Sequence, residues 1–285
     1  MKCPICENES KNKICLVCGY DIQNDITINH LLNKLSNEEI SDYKNRIKIH
    51  KDIYNQAKNN NIKQHFINNE VNEQCIQANQ YYLEKDYTQA LLLYQNEARK
   101  GNTYAMKRLA DMYFKGEGKP YNVNLGLELY HQAIELDDSK ALYELGRKYE
   151  DGYGHLKQSH VKARNLYEKD VEVNKNIDSY VKLADFYHYG KGGIKDLNKA
   201  KRYYEEAIRL GNTYAMRRLA DMYFLGNGCI PNINKGIKLY NKAINLNDKE
   251  ALLELSERYK TGYGKLKKDN IKVQELRNQY NQKDG

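Results

Sequence analysis

The chain has 285 residues, enough for two compact domains or one extended array, with 40% hydrophobic and 29% charged residues. The net charge of +8 permits contact with anions, but the basic residues are spread along the whole chain. The longest aliphatic run, Leu91-Leu92-Leu93, is far short of a membrane span, and six cysteines are too few for a disulfide scaffold of this length.

The first element lies in residues 1–22. Met1-Lys2-Cys3-Pro4 leads directly into a cysteine cluster with no apolar export segment, so a reducing, cytoplasmic setting is expected. Cys3 and Cys6 form one Cys-x-x-Cys pair, and Cys15 and Cys18 form a second after eight residues. Each pair places two thiolates on one tight turn, and two facing turns supply a tetrahedral four-sulfur cage that suits zinc. The expected metal is one structural zinc per chain, because four cysteines leave no open position for chemistry. Iron in the same cage and a redox Cys-x-x-Cys are the rivals, although no βαβ unit is visible to carry the latter. The segment resembles the short zinc-ribbon modules found at the start of many bacterial proteins. Pro4 and Gly19 match that pattern, and Glu7 departs from it where glycine is usual.

Residues 23–70 read as a polar helical linker. Ser36-Asn37-Glu38-Glu39 fits a capping box, and Ile40, Tyr43, Ile47, Tyr54 and Ala57 recur at helical steps. This stripe either packs on the first helix of the following array or forms a coiled-coil dimer seam. The sequence leaves the oligomeric state open.

From residue 71 onward the chain repeats itself. A leading helix pair is expected over 71–100, where Asp86, Ala90 and Tyr94 match Asp196, Ala200 and Tyr204. Beyond it, a tyrosine followed three residues later by Gly-x-Gly recurs at Gly116/Gly118, Gly152/Gly154, Gly190/Gly192, Gly226/Gly228 and Gly262/Gly264. A period near 36 residues means one supersecondary unit stacked on copies of itself. The first helix of each unit carries a leucine beside a small residue: Leu109-Ala110, Leu145-Gly146, Leu183-Ala184, Leu219-Ala220 and Leu255-Ser256. The second helix carries an aromatic at Tyr130, Tyr167, Tyr204 and Tyr240, at the spacing of packing residues. Residues 101–158 also align with 211–268, with about 60% of the pairs identical, so a block of three repeats has been duplicated. In the last helix Lys272 and Gln279 replace Gly236 and Ala243, which predicts a polar C-terminal cap.

The string Leu219, Ala220, Met222, Tyr223, Gly226, Gly228, with Lys199, Ala200, Tyr203, Tyr204, Ala207, Gly211 and Asn212, resembles the Sel-one-like repeat, a relative of the tetratricopeptide repeat. The resemblance covers about five repeats within 101–285. Asp170 makes one unit weaker, since Ala133, Ala207 and Ala243 hold that place elsewhere. It implies an all-α, right-handed α-solenoid of stacked antiparallel helix pairs. It further implies a non-enzymatic adaptor that binds a protein or peptide on its concave face. If the relation holds, the lining includes Tyr104, Lys107, Asp111, Arg147, Asp185, Tyr214, Arg217 and Asp221. An alternative is a nucleic-acid-associated regulator, in which the zinc ribbon and Lys2, Lys11 and Lys13 contact phosphates. Nothing points to catalysis. The seven histidines show no ligand spacing, and the Gly-x-Gly pairs end helices rather than following a strand, so they are not nucleotide loops.

Overall fold

The computed structural model describes residues 71–282. The zinc-ribbon cysteines and the 23–70 linker lie outside the described residues. Within them the chain forms twelve α-helices and no strand, and it divides after Gln158 into two compact units.

The first unit contains α1 (Glu73–Leu83), α2 (Tyr87–Arg99), α3 (Thr103–Lys115), α4 (Val123–Glu135) and α5 (Ala141–Asp151). The second contains α6 (His160–Val173), α7 (Ile177–Tyr189), α8 (Leu197–Arg209), α9 (Thr213–Leu225), α10 (Ile233–Asn245), α11 (Lys249–Thr261) and α12 (Asn270–Gln282). In each unit consecutive helices pack as pairs, α1 on α2 and α3 on α4 in the first, α7 on α8, α9 on α10 and α11 on α12 in the second.

Local chemistry sets these boundaries. Asn102 and Asn212 accept the backbone N–H of Ala105 and Ala215 at 2.9 and 2.8 Å, capping α3 and α9. Both helices end at a left-handed glycine, Gly116 with φ 75° and Gly226 with φ 73°. Between these stops one face of α3 is wholly buried at Ala105, Met106, Leu109, Ala110 and Phe114. Gly126 lets α4 approach that face. A β-carbon there would sit 2.5 Å from the Phe114 ring, which instead stacks on Tyr130 at 6.0 Å between centroids. Gly236, Phe224 and Tyr240 repeat the arrangement in the second unit.

The second glycine of each pair has a different task. A β-carbon on Gly154 would collide with the carbonyl oxygen of Phe114, and one on Gly264 with that of Phe224. His155 and Lys265, the next residues, donate their N–H to those same carbonyls at 2.7 and 2.8 Å. The signature therefore both stops a helix and joins one repeat to the preceding one. At the end of the second unit Lys272 and Gln279 are exposed on α12, and Lys272 pairs with Glu275 at 2.6 Å.

Asp170 occupies a fully buried position. It accepts hydrogen bonds from the Ser179 hydroxyl and from Asn174 Nδ2. A polar pair thus fills the place that alanine fills in the other repeats.

Candidate functional site

The first helix of each repeat carries two kinds of side chain on neighbouring stripes, one locked into the protein and one open to solvent. The locked set is built around Asp111 and Asp221. In the first unit Asp111 accepts from the Tyr130 hydroxyl at 3.1 Å and from Lys148 Nζ at 2.8 Å. The Lys148 ammonium also lies 3.7 Å from the centre of the Tyr153 ring. Lys107, buried to 6% exposure, reaches Asp138 and Glu144, each at 3.2 Å. Tyr104 donates to Asn79 at 2.8 Å.

The second unit builds the same arrangement with arginine in place of lysine. Asp221 accepts from the Tyr240 hydroxyl at 2.9 Å and holds Arg258 through two bonds of 3.0 and 2.8 Å. Arg258 lies 4.2 Å from the Tyr263 ring centre. Arg217 bridges Asp248 at 3.0 Å and also Glu254. Asp185 accepts from Tyr204 at 2.5 Å and from Tyr214 at 3.2 Å. Burial raises the Asp185 carboxyl above its ordinary pKa, although both tyrosine hydroxyls act to lower it. Burial, then the Asp185 charge, pushes Tyr214 up to about 12.

Of the eight side chains placed on the concave lining from sequence, seven therefore have internal partners: Tyr104, Lys107, Asp111, Asp185, Tyr214, Arg217 and Asp221. Each of these seven completes a buried or half-buried polar network within the protein. Arg147 is the exception and is exposed on α5.

The open set follows the neighbouring stripe. Lys140 and Arg147 are exposed in the first unit, and Glu250, Leu253 and Glu257 in the second. Leu253, Glu254, Ser256, Glu257 and Arg258, with Arg277 of α12, line a shallow cavity of about 420 Å³. The Ser256 hydroxyl beside it is buried and has no hydrogen-bond partner. The sequence contained a signal for this set. Between the duplicated blocks the locked positions keep their charge, as at Lys107/Arg217, Asp111/Asp221, Glu144/Glu254 and Lys148/Arg258. Two exposed positions of this stripe reverse it, as Lys140 becomes Glu250 and Arg147 becomes Glu257, and outside these networks the buried Glu150 also becomes Lys260.

Other titratable groups among the described residues are shifted by burial. Burial lifts Glu128 on α4 to about 8 and the Cys75 thiol to about 11. Burial lowers His188. Among the described residues no group of three or more His, Cys, Asp or Glu side chains is placed to hold a metal ion. The four-cysteine set lies outside them. No helix of the described residues is long and apolar enough to cross a membrane.

Comparison with known proteins agrees with the repeat geometry. The Sel1 repeat family matches at residues 77–102, 103–138, 139–169, 177–212, 213–248 and 249–272. A candidate ERAD-associated E3 ubiquitin-protein ligase component of Schizosaccharomyces pombe is 30% identical over 135 residues, covering 41% of this chain and 18% of that protein. Protein sel-1 homolog 2 of Homo sapiens is 31% identical over 98 residues, covering 34% of this chain and 14% of that protein. The chain thus spans less than a fifth of the length of these curated relatives. A Sel1 repeat protein from Oxalobacter formigenes superposes with a TM-score of 0.56 at 24% identity, over 73% of this chain and 84% of that one. The protective antigen c5321 of uropathogenic Escherichia coli, which has an SLR fold, gives 0.56 at 19% identity, over 70% and 42%. These two likenesses show a shared helical-repeat fold.

Proposed function

Because the chain belongs to the Sel1 repeat family, with six repeats between residues 77 and 272, we propose that it is a non-enzymatic scaffold that binds a protein or peptide partner through the open stripe of its first helices. The charge reversal within the duplicated block carries this reading. Two copies of one block keep the side chains that hold the fold and invert the exposed ones at Lys140/Glu250 and Arg147/Glu257. A stripe that served stability alone gains nothing from inversion, whereas a stripe that reads a partner uses it to distinguish segments. Arg147 and Lys140 suit an acidic segment. Glu250 and Glu257, with Leu253 between them, suit a basic segment with an apolar anchor. A relative that is a ligase component fits a chain that works by assembling with other proteins.

The N-terminal cysteines extend the proposal. Cys3, Cys6, Cys15 and Cys18 have the spacing of a closed four-sulfur zinc site, which would make residues 1–22 a structural accessory module for docking. Thiolates in such a site need a reducing compartment, so we place the protein in the cytoplasm. Charge-reversed chains test the scaffold reading. Arg147→Glu and Glu257→Arg alter exposed side chains only, so a partner captured by the parent chain is lost while the helical content stays unchanged. Equal capture by parent and variants refutes the reading.

A further inference from the structure

We propose that the second unit carries an edge that docks on an anionic lipid surface, with Ile194 and Ile230 as the inserted side chains. Both isoleucines sit in loops that join the first and second helices of neighbouring repeats, α7–α8 and α9–α10. Ile194 is 88% exposed and Ile230 is 87% exposed, the two highest values among the large apolar side chains described. Tyr189 and Leu225, the last residues of α7 and α9, are also exposed.

The two loops lie together. Gly228 is packed so closely on the start of α8 that a β-carbon there would stand 2.8 Å from the Leu197 carbonyl oxygen. Leu197 follows Ile194 by three residues. Lys201 of α8 and Lys235 of α10 both lie over the Tyr223 ring, at 5.8 and 5.5 Å.

The charge around the tips is one-sided. Residues 189–202 hold Lys191, Lys195, Lys199, Lys201 and Arg202 against a single acid, Asp196, with Lys201 paired to Glu205 one turn on at 3.8 Å. That carboxylate is occupied in capping α8 through the N–H groups of Asn198 and Lys199 at 3.0 and 2.9 Å. Residues 225–238 add Lys235 and Lys238 with no acid at all. Lys191, Lys195, Lys199, Arg202, Lys235 and Lys238 are exposed. Apolar tips ringed by lysine match the two terms of interfacial binding, insertion of hydrocarbon and attraction to anionic headgroups.

The first unit supplies an internal control. The corresponding segments there, 79–92 and 115–128, hold Lys85, Lys115 and Lys119 against Glu84, Asp86, Glu117 and Glu128. Pro120 replaces Ile230, and the neighbouring Tyr121 stacks on His155 at 3.8 Å. The first unit also exposes an apolar side chain here, Leu83 at the end of α1 at 75%, but without the excess lysine, so exposed isoleucine and one-sided positive charge coincide only in the second.

Co-sedimentation of the full chain with vesicles tests the proposal, using phosphatidylcholine alone and an equimolar mixture with phosphatidylserine. Binding is expected to the mixed vesicles at low salt and not to the neutral ones. Ile194→Asp combined with Ile230→Asp lowers the partition coefficient at least about tenfold, with circular dichroism unchanged. Lys191→Gln and Lys195→Gln each lower it roughly fivefold, and Tyr121→Asp leaves it as it was. Absence of binding to the mixed vesicles overturns the proposal. Binding that survives the isoleucine double substitution also overturns it and assigns the basic edge to a general polyanion. Nucleic acid would then bind parent and double variant alike.

Discussion

At the scale of single residues, the acids on the first helices hold the fold together. Asp221 carries the hydroxyl of Tyr240 and the guanidinium of Arg258 in a site where it is only 6% exposed. Removing it leaves a half-buried arginine without its main counter-charge. Asp221→Ala is expected to destabilise the second unit by about 3–5 kcal/mol, read as a lower urea midpoint. Glu128 offers a second test through pH. Burial raises its carboxyl to about 8, so the folded state prefers the protonated form where the unfolded chain ionises near the ordinary 4.5. Its contribution is fully present below the unfolded value and is lost as pH rises through about 8. Glu128→Gln should therefore gain stability relative to the parent progressively from about pH 4.5 to pH 8 and by a constant amount above. Thermal melts across that range check it, and a gain confined to acid pH would contradict the assignment.

At the scale of elements, the helix pairs and their stops were legible in the sequence because they depend on local chemistry. Asparagine caps, left-handed glycines and an apolar stripe at helical spacing all act within one turn or one helix. The second glycine of each pair was legible only as a terminator. Its contact with the carbonyl of Phe114 or Phe224 joins residues about 40 positions apart, and a contact of that range leaves no periodic trace. Gly154→Ala tests the structural role, since φ there is 57° and the added carbon meets backbone that cannot rotate away. A loss of about 1–3 kcal/mol is expected from this substitution. The same limit explains the lining. The family resemblance put Lys107, Asp111, Arg217 and Asp221 on the lining, yet it carried no information about Asp138, Lys148, Asp248 and Arg258, which come from other segments to pair with them.

At the scale of the whole molecule, six Sel1 repeats account for residues 77–272, and the cysteine module proposed at 1–22 is expected to be energetically separate. Elemental analysis of chain purified without chelator should find about one zinc per chain, because a closed four-thiolate site binds a single ion. Chelation should then leave the helical signal of the repeats largely intact, since metal binding is coupled to folding only within the small module. The block duplication ties this scale to function. Its two copies differ in charge at Lys140/Glu250 and Arg147/Glu257, and on the proposed reading this gives one fold two different partner-reading surfaces. Quantitative affinity capture with the full chain, set against Arg147→Glu and Glu257→Arg, tests that claim most directly. The account predicts a protein partner retained by the parent and lost from a charge-reversed chain that melts at the parent's temperature. Retention of the same partner at equal yield by both variants would contradict it.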